Sequence, residues 1–453
     1  MQQLVIKSVG VKKMEEERVY LQWRDLPALL RTPLGRAQFK IRVYQQLLPI
    51  LARSARFYRR ALLRKTFLIA VVGSLGKTTT TRAIHRVLCG PDHIPFGLNS
   101  GSSLAFAILR IRSNARYAVV EIGINGTGQM TEYAEMIRPD MAVVTSVASE
   151  HNTSFRSLEF TRTEKSEIVR SLPKSGIAVL NGDDPNVLWM ATQTRASVVT
   201  FGLGEANDVR ASDIVLDWPQ GTRFKLHALG EIREAQTRLI GRVMVYPVLA
   251  AVTAALVKGF SLDQILPALE DISPTPGRLE PIRLPNGAYL LRDDYKSSLE
   301  TIPAALDTLS EIPVRRRMVV LGDVSESPGS PGPIYRAVGE HVAQVASKAI
   351  FISGSKKNCQ SYVVGAKRGG LPASSLVKIH NDIFKVIEVL QRDLTPGDVV
   401  LMKGRSHQKL DRISLALMGK RVRCDIIVCK AGMLRCQDCP MLERGWNGLR
   451  FVI

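Results

Sequence analysis

One short segment, from Phe67 to Leu88, constrains the fold of this chain more than any other. An apolar, partly β-branched run over 67–72 predicts a buried strand, and Gly73-Ser74-Leu75-Gly76-Lys77-Thr78 follows it before a helical pattern begins at Thr79. Glycines let backbone N–H groups approach phosphate oxygens, and the start of a helix favours bound anions. This order predicts a phosphate-binding loop, although its spacing is shorter than usual. The alternative is an ordinary strand-to-helix turn that contains Lys-Thr.

Short apolar runs alternate with helical patterns along most of the chain, which predicts a mostly parallel sheet with helices on both faces. A Pro- and Gly-containing break at 271–277 suggests a linker. We predict an α/β fold with a phosphate-loop central domain (66–272) and a Rossmann-like C-terminal α/β domain (273–420). A helical N-terminal arm (1–65) and a Cys-rich tail (421–453) complete the chain. The predicted strands are 67–72, 117–122, 141–147, 176–180, 197–201, 288–291, 317–321, 349–352, 376–379 and 398–402.

The positive charge of the chain is unevenly distributed. The net charge is +21, and residues 1–65 hold 15 Lys or Arg against 4 Asp or Glu. Within 20–65, apolar residues recur near helical spacing between arginines, so this segment is interpreted either as a membrane-surface element or as a helical arm packed on the next domain. The sequence has no apolar run long enough to span a membrane and no signal-peptide core, so we expect a cytoplasmic location with peripheral membrane contact.

Beyond the glycine loop, a series of motifs resembles the Mur ligase family, most closely its MurF-like members, in the family's order. The resemblance covers residues 67 to 413. It implies an enzyme that uses ATP to join a carboxylate to an amino acid or peptide, through an acyl phosphate, with release of ADP and phosphate. The motifs are Ser74 to Thr79, Asn99-Ser100-Gly101, Glu121-Ile122-Gly123, 137–140 with Thr145-Ser146-Val147 and His151, 160–168, Asn181 to Pro185, 277–280, Asp293-Asp294-Tyr295, Leu321-Gly322-Asp323 and Lys403-Gly404.

The resemblance also implies roles for individual residues. It makes Lys77, Glu121, His151 and Lys165 catalytic, and it makes Thr78, Glu121, His151 and a carbamylated Lys165 ligands of Mg²⁺. Hard Mg²⁺ prefers oxygen ligands, which suits Thr78 and Glu121 on chemical grounds alone. From the residues alone, Lys165 is a helix-surface lysine. The implied nucleotide contacts are Gly73, Ser74, Gly76, Lys77, Thr78, Thr79, Arg278, Asp294 and Lys403, and the implied substrate contacts are Asn99 and Lys296.

Three segments depart from the family pattern. The basic segment 1–65 stands where MurF-like enzymes carry a UDP-substrate domain, so we do not expect a UDP-muramoyl-peptide as the acid. The run 241–247 lacks the family's His-Asn pair near the adenine, which predicts a different adenine contact. Lys296 replaces a family asparagine, and we interpret it either as an electrostatic aid to the acyl phosphate or as a solvent-facing lysine. The motif also leaves open whether Asp293 or Asp294 holds the ribose.

Four cysteines lie close together near the C-terminus: Cys424, Cys429, Cys436 and Cys439. Four thiolates, two of them in Cys-x-x-Cys, suit a structural Zn²⁺ site, and a metal would stabilise a tail too short to form its own core. A redox pair at Cys436 and Cys439 and a reduced, metal-free tail are the alternatives.

The sequence therefore favours an ATP-dependent, Mg²⁺-requiring amide ligase. Its partners would be a small-molecule or lipid-linked carboxylate and an amino acid or peptide. A poly-glutamate-type synthase is one alternative. A nucleic-acid-dependent ATPase is another, suggested by the charge, but no helicase motif and no basic stripe with interleaved aromatics beyond residue 65 supports it, so nucleic acid is not the favoured partner. The sequence makes no prediction about oligomeric state.

Overall fold

The computed structural model describes residues 46–90, 101–148, 157–325, 329–429 and 435–445, preceded by Leu30, Gly35, Arg36, Phe39 and Val43. Most of the predicted N-terminal arm, including 21 of the 46 residues of 20–65, lies outside these residues. Within them, no helix is long and apolar enough to cross a bilayer.

The first sheet has eight strands in the order β2-β1-β3-β4-β5-β6-β7-β8. Strands β1 to β5 are parallel and largely buried, as continuous apolar runs predict. They are β1 (Phe67–Val72), β2 (Tyr117–Glu121), β3 (Met141–Val144), β4 (Ile177–Asn181) and β5 (Ser197–Gly202). The helices over them are α1 (Leu48–Ala61), α2 (Lys77–Cys89), α3 (Gly101–Leu109), α4 (Gln129–Ile137), α5 (Leu158–Arg170), α6 (Pro185–Leu188), α7 (Val245–Leu256) and α8 (Leu262–Glu270).

The other side of this sheet ends in an antiparallel meander that the sequence analysis did not predict. Strand β6 (Val209–Asp217) pairs in parallel with β5, and β7 (Gly221–Ala228) and β8 (Glu231–Thr237) then return antiparallel. These strands alternate between buried and exposed positions and carry many charged residues, because one face is open to solvent.

The second sheet has six strands in the order β13-β12-β11-β14-β10-β9, and only β9 runs antiparallel to its neighbour. Its strands are β9 (Glu280–Arg283), β10 (Tyr289–Asp293), β11 (Arg317–Leu321), β12 (Lys348–Ser353), β13 (Leu376–His380) and β14 (Val399–Lys403). Its helices are α9 (Thr301–Glu311), α10 (Pro331–Val345), α11 (Lys356–Arg368), α12 (Ile383–Asp393) and α13 (Asp411–Leu417), with the short α14 (Met441–Arg444) in the tail. The predicted α/β fold with two sheets is confirmed, while the proposed domain boundaries stay predictions.

Each sheet has one hydrophobic core on each of its two faces. The two units, each formed by one sheet and its helices, meet at the edge of the first sheet where the phosphate loop lies. The Thr79 hydroxyl of α2 lies 3.2 Å from the Thr275 hydroxyl. The Lys296 ammonium, from the loop after β10, donates to the Ser74 carbonyl across 3.4 Å. The carboxyl ends of strands from both sheets therefore border one cleft, the usual position for ligands in α/β folds.

Helix α1 is anchored to the first sheet by a buried arginine. The Arg59 guanidinium donates to the carbonyls of Leu63, Thr66, Ile137 and Arg138 and to the Asp140 carboxylate. A cation that is taken out of water needs such a complete set of acceptors. This helix is thus a packed arm, as one of the two interpretations of the N-terminal segment expects.

Candidate active site

The phosphate loop leaves β1 and turns into α2 over four residues. Gly76 has a left-handed backbone (φ 81°) directly before Lys77, where a glycine is favoured. The Lys77 ammonium folds back over the loop and donates to the carbonyls of Gly73 at 2.6 Å and Ser74 at 3.0 Å. Lys77 therefore lies at the loop itself, where it can meet an anion bound by the loop.

The segment after β3 supports this loop from the side. The Ser74 N–H donates to the Ser146 carbonyl, the Leu75 N–H to the Ser146 hydroxyl, and the Thr145 hydroxyl to the Leu75 carbonyl. The Ala148 N–H donates to the Ser74 hydroxyl at 2.9 Å. The sequence placed Thr145 and Ser146 in a motif but gave them no role. Their signal was two hydroxyl residues that directly follow a buried strand.

Gly73 is packed too tightly against Thr145 to accept a side chain. A Cβ at this position would lie 2.0 Å from the Thr145 hydroxyl oxygen, with φ at +153°. We expect Gly73→Ala to displace the loop and to weaken binding of an ATP analogue by about tenfold or more, measured by calorimetry. Gly90→Ala is the matched control, since Gly90 also has positive φ (+84°) but has nothing within 4 Å. Equal losses in both variants would show that backbone strain, and not the close contact, is responsible.

Two predicted catalytic side chains, Glu121 and Lys165, are buried. Glu121 ends β2, which pairs with β1 so that Val71 lies opposite Glu121, and its side chain is buried. Lys165 lies on α5 with only 4% of its surface exposed, which corrects the interpretation of a helix-surface lysine. Its neighbour Glu164 accepts from the Met130 N–H at 3.1 Å and so ties α5 to the start of α4. A buried lysine needs compensating partners, so its position is consistent with a functional role without proving one.

The other residues predicted near the phosphate loop are Asn99, His151, Thr78 and Thr79. His151 and Asn99 lie outside the described residues. Thr78 is half-buried at the first turn of α2. The Thr79 hydroxyl lies against the Thr275 hydroxyl and so joins the two units, and its predicted nucleotide contact stays a prediction.

Lys296 reaches the phosphate loop from the second unit. Its ammonium donates to the Ser74 carbonyl, the same oxygen that accepts from Lys77. Two cations therefore converge on one carbonyl at the centre of the loop, which concentrates positive charge where an anion would bind. Of the two interpretations of Lys296, the structure favours the electrostatic one.

Lys403 lies at the end of β14, where the sequence analysis placed it. Its side chain is fully buried at the end of β14, and its ammonium donates to Asp293 at 2.5 Å and to the Lys296 carbonyl at 3.0 Å. Burial lowers the pKa of this lysine, and the Asp293 carboxylate opposes that shift. The Lys403 ammonium thus holds the backbone of the loop that carries Lys296, and its predicted nucleotide contact stays a prediction.

Asp294 is also occupied by protein contacts. Arg292 donates from Nε to both carboxylate oxygens, at 3.0 and 3.1 Å. Burial raises the pKa of Asp294 to about 7, although Arg292 opposes that shift, and Asp411 adds to it. The Arg278 guanidinium lies over the Tyr295 ring, 4.8 Å from its centroid. The ribose contacts predicted for Asp294 and Arg278 stay predictions.

A polar cluster follows β4, near the run that replaces the family's His-Asn pair. Asp183 accepts from the Leu203 and Gly204 N–H groups, from Asn207, and from the Tyr246 hydroxyl at 2.9 Å. Burial opposes ionisation of Asp183, but these hydrogen bonds prevail and lower its pKa. Tyr246 thus joins α7 to the turn after β4, a contact that the sequence did not reveal.

The cysteine tail packs on the second unit, beside α13. The buried Arg412 guanidinium donates to the Cys424 and Ile426 carbonyls and lies 3.6 Å from the Cys424 sulfur. The Cys436 thiol lies against Asp411, and burial, followed by this carboxylate, raises its pKa. In the described residues no group of three or more His, Cys, Asp or Glu side chains could hold a metal ion. The structure thus does not support the predicted zinc site, because Cys436 is directed to Asp411.

The described donors near the loop suit Mg²⁺ nevertheless. Mg²⁺ in phosphoryl-transfer sites takes one or two protein oxygens and completes its shell with water and substrate phosphates, so a group of three protein ligands is not required. The buried Glu121 carboxylate and the half-buried Thr78 hydroxyl provide such oxygens. The predicted Mg²⁺ assignment of these two residues stays a prediction.

Comparison with known proteins identifies two domains. The family model "Mur ligase middle domain" matches residues 71–255, and "Mur ligase, glutamate ligase domain" matches residues 277–406. The chain is 28% identical over 354 residues to the UDP-N-acetylmuramoyl-tripeptide–D-alanyl-D-alanine ligase of Escherichia coli K12, covering 77% of this chain and 76% of that protein.

Solved structures agree in fold. A MurF crystal structure from Acinetobacter baumannii matches with a TM-score of 0.73 at 24% identity, covering 82% of this chain and 81% of that one. A MurF ligase from Thermotoga maritima in complex with ADP matches with a TM-score of 0.72 at 21% identity, covering 82% and 83%. At these identities the likeness concerns the fold alone.

Proposed function

Because this chain belongs to the Mur ligase family, we propose that it is an ATP-dependent, ADP-forming ligase that joins a carboxylate to the amine of an amino acid or peptide. The observation that carries the proposal is the convergence of the Lys77 and Lys296 ammonium groups on the Ser74 carbonyl. One ammonium comes from each unit, so the cationic centre is complete only where the two units meet.

The residues of the loop suit the first chemical step. A carboxylate oxygen of the acid attacks the γ-phosphorus, the bond to the β-phosphate oxygen breaks, and ADP leaves. Phosphoryl transfer depends on positioning and on neutralising negative charge more than on covalent help. Lys77 and Lys296 supply that neutralisation, and the loop N–H groups and the start of α2 orient the phosphates.

The second step forms the amide. The amine nitrogen attacks the acyl carbon, the bond to the phosphate oxygen breaks, and inorganic phosphate leaves as the nitrogen loses a proton. In this proposal Mg²⁺ would be held by Thr78 and Glu121, with His151 and a carbamylated Lys165 as further ligands, and it would neutralise charge on the β- and γ-phosphate oxygens. The burial of Lys165 supports that role, because a carbamate at this position would be an anion shielded from bulk water.

The relatives guide the choice of substrates. The E. coli relative is named for a UDP-N-acetylmuramoyl-tripeptide and D-alanyl-D-alanine. We propose a dipeptide of this class as the first candidate amine. Both family matches begin at or beyond residue 71, so they carry no information about how residues 1–70 meet the acid. Candidate acids therefore include UDP-linked peptides as well as small or lipid-linked carboxylates.

The proposal is tested by amine-dependent phosphate release. Purified full-length chain, ATP and Mg²⁺ are incubated with a matrix of acids and amines, and product masses are read by mass spectrometry. We expect one acid–amine pair to stimulate phosphate release and to yield a product lighter by one water than the sum of its substrates. Phosphate release that responds to RNA or DNA and to no such pair would instead identify a nucleic-acid-dependent ATPase. Repeated addition of glutamate to one acid would identify a poly-glutamate-type synthase.

Lys296 offers a sharper test within the site. We expect Lys296→Gln to lower kcat for phosphate release by about tenfold or more, because it removes one of two cations that face the developing charge. The unfolding midpoint should hardly change, since the side chain is only half-buried and its carbonyl is still held by Lys403. Lys356→Gln, an exposed lysine on α11, is the control. A Lys296→Gln variant with unaltered kcat would leave only the solvent-facing interpretation.

The N-terminal segment adds a proposal about location. We keep a cytoplasmic, membrane-peripheral placement as a proposal, supported by the basic composition of residues 1–65 and by the described surface of α1. Structural zinc in the tail has no support beyond the four cysteines themselves, and no step of the proposed reaction depends on it.

A further inference from the structure

The loops that lead into the first sheet form a second charged surface, far from the nucleotide cleft. Each of the five parallel strands β1 to β5 is preceded by an exposed basic residue. Since parallel strands all begin at the same edge of a sheet, these residues share the edge opposite the phosphate loop. We call this surface the basic edge. Its strand-entry residues are Lys65, Arg116, Arg138, Lys174 and Arg195.

The entry loops of the basic edge contain almost no acid, although Glu135 and Glu167, in the last turns of α4 and α5, pair with Arg56 and Arg170. These entry loops, 62–66, 110–116, 138–140, 171–176 and 194–196, contain eight Lys or Arg and one acidic residue, Asp140. Asp140 is used internally, because its carboxylate accepts from Arg59 and from the Leu68 N–H, each at 2.8 Å. The next strand, β6, is preceded by the acidic residue Asp208 and not by a basic residue. The positive charge therefore has a defined extent, unlike a general solubilising excess spread over the whole surface.

Apolar side chains stand beside this charge on α1. Phe57 is 70% exposed, Ile50 61% and Leu62 53%. Residues 46–66 contain no Asp or Glu, and Arg53 and Arg60 are exposed on the same helix. The Tyr58 hydroxyl donates to the Ile111 carbonyl at 2.7 Å, which fixes α1 against the entry loop of β2. The exposed apolar side chains and the basic edge therefore lie on adjoining parts of one rigid surface.

We propose that the basic edge and α1 together bind the surface of an anionic phospholipid membrane. A helix with exposed apolar residues flanked by arginines gains from insertion among acyl chains, while the surrounding cations meet lipid phosphates. Exposed aliphatic groups such as Ile50 and Leu62 give no comparable gain on a nucleic-acid backbone, which favours the membrane over RNA or DNA. The phosphate loop lies at the opposite edge of the sheet, so the bound enzyme keeps its nucleotide cleft open to water.

The test is sedimentation of the full-length chain with unilamellar vesicles at about 0.1 M salt, where charges interact over about 10 Å. We expect binding to vesicles of phosphatidylcholine with 30% phosphatidylglycerol and little binding to phosphatidylcholine alone. Arg64→Glu/Lys65→Glu/Arg112→Glu should weaken partitioning by about tenfold or more. Phe57→Ser should weaken it by about fivefold, because it removes only an inserted apolar group.

The control reverses the same number of charges elsewhere. Lys356→Glu/Lys357→Glu/Lys367→Glu changes three exposed lysines of α11 on the second unit and should bind vesicles like the wild type. All variants should keep the wild-type rate of phosphate release, which shows that they are folded and that the cleft is separate. Equal loss in the control, or no preference for the anionic vesicles, would overturn the proposal. Tight binding of a single-stranded RNA with no binding to vesicles would overturn it too, in favour of nucleic acid.

Discussion

Lys77→Ala is expected to lower kcat for amine-dependent phosphate release by about 10²–10³-fold, the range found when one preorganised group that faces transition-state charge is removed. The wild-type ammonium already lies at the phosphate loop, within 3.0 Å of the Gly73 and Ser74 carbonyls. It therefore needs little rearrangement to meet a γ-phosphate. Lys296 would remain as the only one of the two converging cations, and it comes from the other unit, so it cannot replace Lys77 in position.

Two comparisons make the Lys77 result specific. Lys357→Ala removes an exposed lysine of α11 and should leave kcat unchanged. Circular dichroism should give the same spectrum for both variants, since the Lys77 side chain is only half-buried and its ammonium donates to carbonyls of its own loop. If Lys77→Ala retained kcat within about threefold of the wild type, the phosphate loop would not be the site of phosphoryl transfer.

The parallel strands were predictable because most of them are short apolar runs that are largely buried, such as β1, β3 and β14. The residues at which these strands end were less predictable. The predicted strand 141–147 stops at Val144, since Thr145 and Ser146 turn their hydroxyl groups toward the phosphate loop. The meander β6 to β8 was missed because its strands alternate between buried and exposed residues, and such a pattern is weak when many residues are charged.

The site was predictable where its chemistry is local and unpredictable where it depends on tertiary contacts. The phosphate loop is one continuous motif, so its residues could be named from the sequence. The contact of Lys296 with Ser74 joins residues 222 positions apart, and no local pattern encodes it. The burial of Lys165 follows from the packing of α5, which a single charged residue in a helical pattern does not reveal.

Lys403 shows why a correctly predicted strand does not reveal every contact of its last residue. The sequence placed it at the ligand-bearing end of β14, and the strand does end there. However, β14 is buried on both faces, and in the sheet Lys403 lies directly opposite Asp293 of β10. Their side chains therefore pair inside the protein. Only the register of two strands that are far apart in sequence reveals this pair.

The buried Lys403–Asp293 pair accounts for the largest effect on stability that we expect from a single substitution. Lys403→Met should lower the free energy of unfolding by about 3–5 kcal/mol, because it leaves the Asp293 carboxylate buried without its cation. Urea unfolding followed by circular dichroism measures the change. Lys225→Met is the matched control: Lys225 pairs with Asp213 at 2.8 Å, but these side chains are 45% and 61% exposed. The loss of stability from Lys225→Met should be much smaller, because water screens an exposed ion pair. Equal urea midpoints for Lys403→Met and the wild type would show that the buried pair does not form.

A double variant separates the contribution of the Lys403–Asp293 pair to stability from its contribution to positioning Lys296. Lys403→Met/Asp293→Asn removes both charges, and since no uncompensated ion remains, it should recover most of the lost stability. It does not restore the bond from the Lys403 ammonium to the Lys296 carbonyl. If that bond positions Lys296 over the phosphate loop, the double variant should be folded yet lower kcat by an amount close to that of Lys296→Gln. Recovery of both stability and kcat would mean that Lys403 serves only the fold. Recovery of stability without recovery of kcat would show that Lys403 also positions the Lys296 ammonium.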